Sequence, residues 1–240
     1  MFFIILLNMN YKDLVYLDIE TVGKYENLES LKYNDVRGYD LFMRKIDRKS
    51  SQYLDWKDDP NVVYFNKAPL MPEFGKIVCV SIANIKEVDG IDEQKLVSVY
   101  SHDEKTIINK VQKIFTNVSN KTLLGLCGFY IKGFDIPWLN RKTLQHGLKI
   151  PKILKTFNVK PWEMNIVDLA DVWKSFGTLE NISFDEMLYA LDIKSPKNIM
   201  AGKDVHNNYW FNNDLEKIKD YCEADVKSCI EAAKKIIHNV

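Results

Sequence analysis

Tyr16-Leu17-Asp18-Ile19-Glu20-Thr21 decides how the rest of the chain is read. It is a short apolar run with the composition of a buried strand, yet it carries two carboxylates near its end. Successive side chains of a strand point to opposite faces, so Tyr16, Asp18 and Glu20 share one face and Leu17 and Ile19 take the other. Two acids side by side repel. A divalent cation between them relieves that repulsion, and hard ions such as Mg²⁺ or Mn²⁺ take oxygen ligands of this kind. An amphipathic edge strand with one wet face explains the same six residues as well, so later residues must decide.

Downstream of this strand, residues 24 to 70 mix charged, aromatic and turn-forming residues without a sustained period, as in Asp47-Arg48-Lys49-Ser50-Ser51 and Asp58-Asp59-Pro60-Asn61. The segment is expected to be an inserted, mobile arm in a single domain, with a helix over Tyr39 to Ile46. The β-rich runs Lys76 to Ala83 and Lys95 to Tyr100 pair as a hairpin, with Asp89-Gly90 supplying the turn. Ile107, Ile108, Val111, Ile114 and Phe115 stand at helical spacing and predict a covering helix over residues 103 to 118. Thr122 to Cys127 reads as a strand buried on both faces. Ile136-Pro137-Trp138-Leu139 opens a helix that reaches roughly Gly147. A short strand at Asn165 to Leu169, a capping box at Ser183-Phe184-Asp185-Glu186 and a long final helix from Asn213 or Asp214 complete the pattern.

With 240 residues, 46% of them hydrophobic, the chain can bury a substantial core. Thirty-three basic residues balance thirty-three acidic ones, so no global field draws in a polyanion, which must therefore be bound locally. Cys79, Cys127, Cys222 and Cys229 lack the paired spacing of a zinc site and the density of a disulfide scaffold. They predict buried free thiols in a reducing compartment, the cytoplasm. Met1 to Leu7 is apolar, but it has no cationic lead or small-residue cleavage site and is too short to span a bilayer, so no membrane association is expected.

Two further acids complete the constellation. Asp135 precedes a helix and has a bland reading as its N-cap, although a strand-to-helix junction is also where α/β folds place ligand chemistry. Leu215, Ile218, Cys222, Cys229, Ala233 and Ile236 define the buried stripe of the last helix, and Asp225 falls inside it. A buried charge needs a cation or strong donors. Tyr221 lies one turn earlier on the same face.

The order Asp18-x-Glu20, Phe134-Asp135, Tyr221-x-x-x-Asp225 resembles the three motifs of the DEDD superfamily of 3′-5′ exonucleases, in its tyrosine-bearing branch. Met71-Pro72-Glu73-Phe74-Gly75-Lys76-Ile77, Gly133-Phe134-Asp135-Ile136-Pro137 and Ser195-Pro196-Lys197 are similar to stand-alone relatives of the proofreading domain of family B DNA polymerases. The resemblance implies an α/β, ribonuclease-H-like fold: a mixed five-stranded sheet flanked by helices, with the acids gathered at one edge. It also implies hydrolysis of terminal phosphodiesters of single-stranded or frayed DNA to nucleoside monophosphates, with two Mg²⁺ or Mn²⁺ ions as cofactors about 4 Å apart. Asp18 would bridge both ions, Glu20 and Asp225 would complete the site of the attacking water, and Asp135 would support the second ion through water. Tyr221 would orient that water. Relatives usually carry asparagine where this chain has Tyr130.

Phe129, Tyr130, Lys132 and Arg141 are the expected substrate contacts, by proximity to the second motif. RNA as substrate, and a non-catalytic nucleic-acid-binding module of the same fold, are the alternatives. Clustered acids would only weaken a pure binding site for phosphates. With no polymerase region expected after the third motif, any polymerase or repair partner would act in trans.

Overall fold

The structure is a computed structural model and describes residues 10–119, 125–160, 164–177 and 182–238. Strand β1 (Leu14–Gly23) is followed by helices α1 (Leu28–Asn34), α2 (Val36–Ser50) and α3 (Pro60–Lys67). Then come β2 (Gly75–Val88), β3 (Ile91–Tyr100), α4 (Glu104–Ser119), β4 (Gly125–Gly128) and α5 (Asp135–Gln145). The C-terminal part holds β5 (Ile166–Asp168), α6 (Leu169–Ser175), α7 (Phe184–Ala190), α8 (Val205–Trp210) and α9 (Leu215–His238).

Five strands form one mixed sheet, as expected, and their order is β3-β2-β1-β4-β5. β1 runs antiparallel to β2 and parallel to β4, and β4 runs parallel to β5. The alternation read from β1 is realised. Val15, Leu17 and Ile19 pack on one face against Ile107, Ile108 and Phe115 of α4 and Ile136 and Leu139 of α5. Leu14 and Tyr16 pack on the other against α6, α7 and Val226, Cys229 and Ile230 of α9. Helices therefore cover both faces, which is why β1 carries so few polar residues. The β2–β3 hairpin turns through Asp89 (φ 52°) and Gly90 (φ 78°), a left-handed pair suited to strand twist.

Two expectations meet the limits of the described residues: the apolar start, Met1 to Leu7, lies wholly outside them, as do Thr122 to Leu124 of the predicted strand. The described part of that strand is Gly125–Gly128.

The segment 24–70 is corrected in character. It is built of three helices around their own core of Leu28, Leu31, Phe42, Ile46, Val63, Tyr64, Ala68 and Phe74, and the helix expected over Tyr39 to Ile46 is the middle of α2. The turn-forming residues punctuate short helices: Asn27, Asp35 and Asp59 each accept a backbone N–H as N-caps, and Pro60 occupies the first turn of α3. Gly23 and Gly75 pair across β1 and β2, so the arm leaves and rejoins the sheet at one point.

Candidate active site

β1 outruns its parallel neighbour. β4 pairs with it only at Leu14–Tyr16, and then the chain turns away at Gly128. A Cβ there would lie 2.3 Å from Ile131 Cγ2 and 2.7 Å from the Leu17 carbonyl oxygen, so only glycine permits that approach. Beyond Tyr16 one edge of β1 is thus open, at the carboxyl ends of the parallel strands where such sheets hold their ligands.

A cleft of about 460 Å³ occupies this position. It is lined by Asp18, Glu20, Asp135, Tyr221 and Asp225 together with Phe129, Tyr130, Phe134, Trp173, Lys174 and Gly202, among others. Three distant parts of the chain supply its acids. Asp18 and Glu20 come from one face of β1, Asp135 from the first turn of α5, and Asp225 from the buried stripe of α9.

The N-cap reading of Asp135 is corrected. Phe134 holds the cap position without a side-chain bond, and Asp135 Oδ1 accepts the Ile19 N–H at 3.0 Å. That N–H is on the edge of β1 that β4 no longer covers, so the carboxylate both satisfies the open strand and joins the acid cluster.

Mutual repulsion in a buried setting leaves a clear electrostatic signature. Burial, then the nearby Asp225 and Asp135, push the Asp18 carboxyl well above its ordinary value. Burial, then Asp18 and Asp225, do the same to Glu20. Burial with Asp168 and Asp225 raises Asp135 to about 8, against the bond from Ile19. Burial raises Asp225 to about 7, although Tyr221 and the Lys197 ammonium pull it down. Asp18 Oδ2 is shut away from solvent with no hydrogen-bond partner among the described residues. Hard oxygen donors crowded together with one left orphaned fit a divalent cation. Asp18, Glu20 and the Cys222 thiol offer ligand atoms within 4.8 Å of one another. The thiol donates to the Asp18 carbonyl at 3.4 Å, and burial holds it well above its ordinary pKa, hence protonated. All four cysteines are free and buried, as expected.

Tyr221 bonds to Asp225 through its hydroxyl, and burial with the surrounding acids pushes the phenol up. Its hydroxyl is thus a neutral donor to that carboxylate. This agrees with an orienting role and disfavours that of a base.

The expected substrate contacts divide. Phe129 and Tyr130 line the cleft. Phe129 is also packed against Phe184, ring centroids 5.0 Å apart. Tyr130 is exposed, with φ 58°, and its ring covers Gly133 so closely that a Cβ there would lie 2.3 Å away. Lys132 and Arg141 are not among the lining residues; the former reaches Asp171 at 2.9 Å, and the latter is exposed on α5.

Asp168 was missed as a site residue. It is buried at the end of β5 and accepts N–H groups from Tyr130 (2.8 Å), Lys132 (2.9 Å) and Ala170 (3.1 Å). It therefore caps α6 and holds the loop that ends β4. Its signal was the one used for Asp18, an acid closing an apolar run. Lys197, quoted within Ser195-Pro196-Lys197 but given no role, lends its charge to Asp225 while paired with Asp185 at 2.9 Å.

A family model describing predicted 3′-5′ exonucleases related to the exonuclease domain of PolB matches residues 69–229, more than half of the chain. The chain belongs to that family. The matched stretch includes Asp135, Tyr221 and Asp225 but starts after β1; Asp18 and Glu20 lie outside it and line the same cleft. No curated protein matches the chain. Among the described residues no helix is long and apolar enough to cross a membrane.

Proposed function

We propose that this protein is a metal-dependent 3′-5′ exonuclease that removes nucleoside monophosphates from single-stranded or frayed DNA ends. The observation that carries the reading is the meeting of four acids, Asp18 half-buried and the other three buried, and one tyrosine, from β1, α5 and α9, in a single cleft. Asp18, Glu20, Asp135 and Asp225 would hold two Mg²⁺ or Mn²⁺ ions. Such ions, when bound, supply an activated water and charge stabilisation for the attacking and leaving oxygens. Tyr221 donates its hydroxyl proton toward Asp225 and orients what lies against that carboxylate. Asp135, tied to the Ile19 N–H, keeps the acids in register with β1. Phe129, Phe134 and Trp173 give the cleft an apolar wall against which a terminal base stacks. Tyr130, on its left-handed turn, presents an exposed ring where a second base can stack.

A binding module without catalysis is disfavoured by the same acids, since clustered negative charge repels phosphates unless cations neutralise it. The test is a time course on matched DNA and RNA strands labelled at either end, with and without chelator. We expect cation-dependent shortening from the 3′ end of the DNA, and none by Asp18→Ala. Shortening by the variant, or from the 5′ end, would overturn the reading. Equal or faster loss of the RNA would replace DNA by RNA as substrate.

A further inference from the structure

The arm sends no side chain into the cleft lining, yet one face of α2 has a distinct chemistry. Steps of about 100° per residue place Arg37, Leu41, Arg44 and Arg48 on one stripe, with Lys45 at its edge. A groove of about 480 Å³ runs along that stripe. Arg37, Arg44 and Arg48 are exposed, and none has a carboxylate within ion-pair distance among the described residues. The helix's own acids, Asp40 and Asp47, border the stripe on the side away from Lys45 by the same stepping, and neither is within ion-pair distance of an arginine among the described residues. Of the two acids in the groove wall, Asp35 is engaged by Lys24 at 3.0 Å and by the Gly38 N–H at 2.8 Å. Glu73 lies beside Lys45, which burial near Phe74 holds below the ordinary lysine value.

In a chain with no net charge, three exposed guanidinium groups without an ion pair, gathered on one face, are a local exception. Arginine forks suit phosphate oxygens, and Leu41, 47% exposed between them, offers an apolar strip to sugars and bases. The stripe is about 16 Å long, the rise of about five nucleotides in one strand. The arm that carries it springs from the end of β1 that bears the acids: Lys24 comes four residues after Glu20, and Thr21 holds the base of the arm through the Pro69 carbonyl at 2.6 Å.

We propose that the Arg37–Arg44–Arg48 face of the arm is a docking surface for the phosphodiester backbone of the strand whose 3′ end enters the cleft. This rests on the exonuclease reading for the identity of the strand, but its binding term is separate from catalysis. The cleft handles the terminal nucleotides and the arm holds the body of the substrate, so long strands gain affinity that short ones do not.

The test uses the full chain and three forms: wild type, Arg37→Gln/Arg44→Gln/Arg48→Gln, and Lys105→Gln/Lys110→Gln/Lys113→Gln, which removes equal charge from exposed positions of α4. Anisotropy with chelator reads binding of a labelled DNA of about 30 nucleotides over a salt series, and hydrolysis of a DNA of about 4 nucleotides is measured with Mn²⁺. The arginine variant should bind the long strand at least about 10-fold more weakly, with the log–log salt slope reduced by about 2, since each lost phosphate contact removes about 0.7 on a single strand. Its rate on the short strand should match wild type. Unchanged long-strand affinity and slope in the arginine variant, an equal loss in the lysine variant, or no binding by wild type would overturn the proposal. Long-strand binding that falls in the arginine variant without hydrolysis by any form would sink the exonuclease reading and leave the docking surface standing.

Discussion

At the scale of single residues, the acids are mutually destabilising in the metal-free protein. Folded-state values raised to about 7 for Asp225 and about 8 for Asp135 mean that the folded state binds more protons than the unfolded one above the ordinary carboxylate range. Their contribution to stability is therefore greatest in acid and declines as pH rises from about 4 towards 8. Asp18→Asn removes one charge with little change of shape. It is expected to raise the melting temperature of the metal-free protein at pH 8 by several degrees, about 2–4 °C per kcal/mol recovered, with the gain shrinking towards pH 5. Mn²⁺ should stabilise wild type and not this variant. Scanning calorimetry at both pH values checks this, and an Asn variant less stable than wild type at pH 8 contradicts it. Tyr221→Phe keeps the ring and deletes the donor to Asp225. Its kcat should fall on the order of 10²-fold, the usual cost of one positioned donor, with KM little changed; a wild-type kcat would remove Tyr221 from the chemistry.

Among the elements, the arm shows how a pattern can be hidden by brevity. α1 and α3 are seven and eight residues long, about two turns each, too short for a periodic stripe to stand out from their caps and connecting turns. Their apolar residues nevertheless converge. Phe42 is fully buried, edge-on to Tyr64 at 5.1 Å and to Phe74 at 5.0 Å. Phe42→Ala should cost about 3–5 kcal/mol, concentrated in the arm. Hydrogen exchange should show α1 to α3 deprotected while β1 and α9 stay protected, and an unaltered exchange pattern in the arm would show that this cluster does not hold it. The last helix is the opposite case. Its buried stripe, with Asp225 within it, was legible over twenty-four residues, because a long amphipathic helix repeats its signal many times.

Across the molecule, His206 joins the parts that the chain order keeps apart. Its Nδ1 accepts the Gly23 N–H at 3.0 Å at the end of β1, and its Nε2 donates to the Glu26 carbonyl at 2.9 Å in the arm's first residues, while the ring sits edge-on to Phe65 at 4.7 Å. Burial holds its pKa below the ordinary value near 6.5. The neutral ring is thus the folded form, and its contribution is present above about pH 6.5 and lost as pH falls through that value towards the folded pKa. Compared with His206→Gln, which lacks this titration, the stability advantage of wild type should narrow between pH 7.5 and 5.5; taking the difference cancels the opposing trend of the acids. A difference independent of pH would show that the ring does not couple arm and sheet in this way.

What the amino-acid order settled by itself was the α/β class, the hairpin and the amphipathic helices, because each is a local pattern repeated over adjacent residues; the three acid-bearing motifs were legible through their order and their resemblance to a family. Only the tertiary structure decided that Asp135 bonds to β1 instead of capping its own helix, that Asp168 holds the turn beyond β4, and that residues 24–70 fold around a core of their own. Those outcomes depend on which buried N–H or apolar face happens to lie opposite in space, and contacts between residues a hundred positions apart leave no periodic trace along the chain.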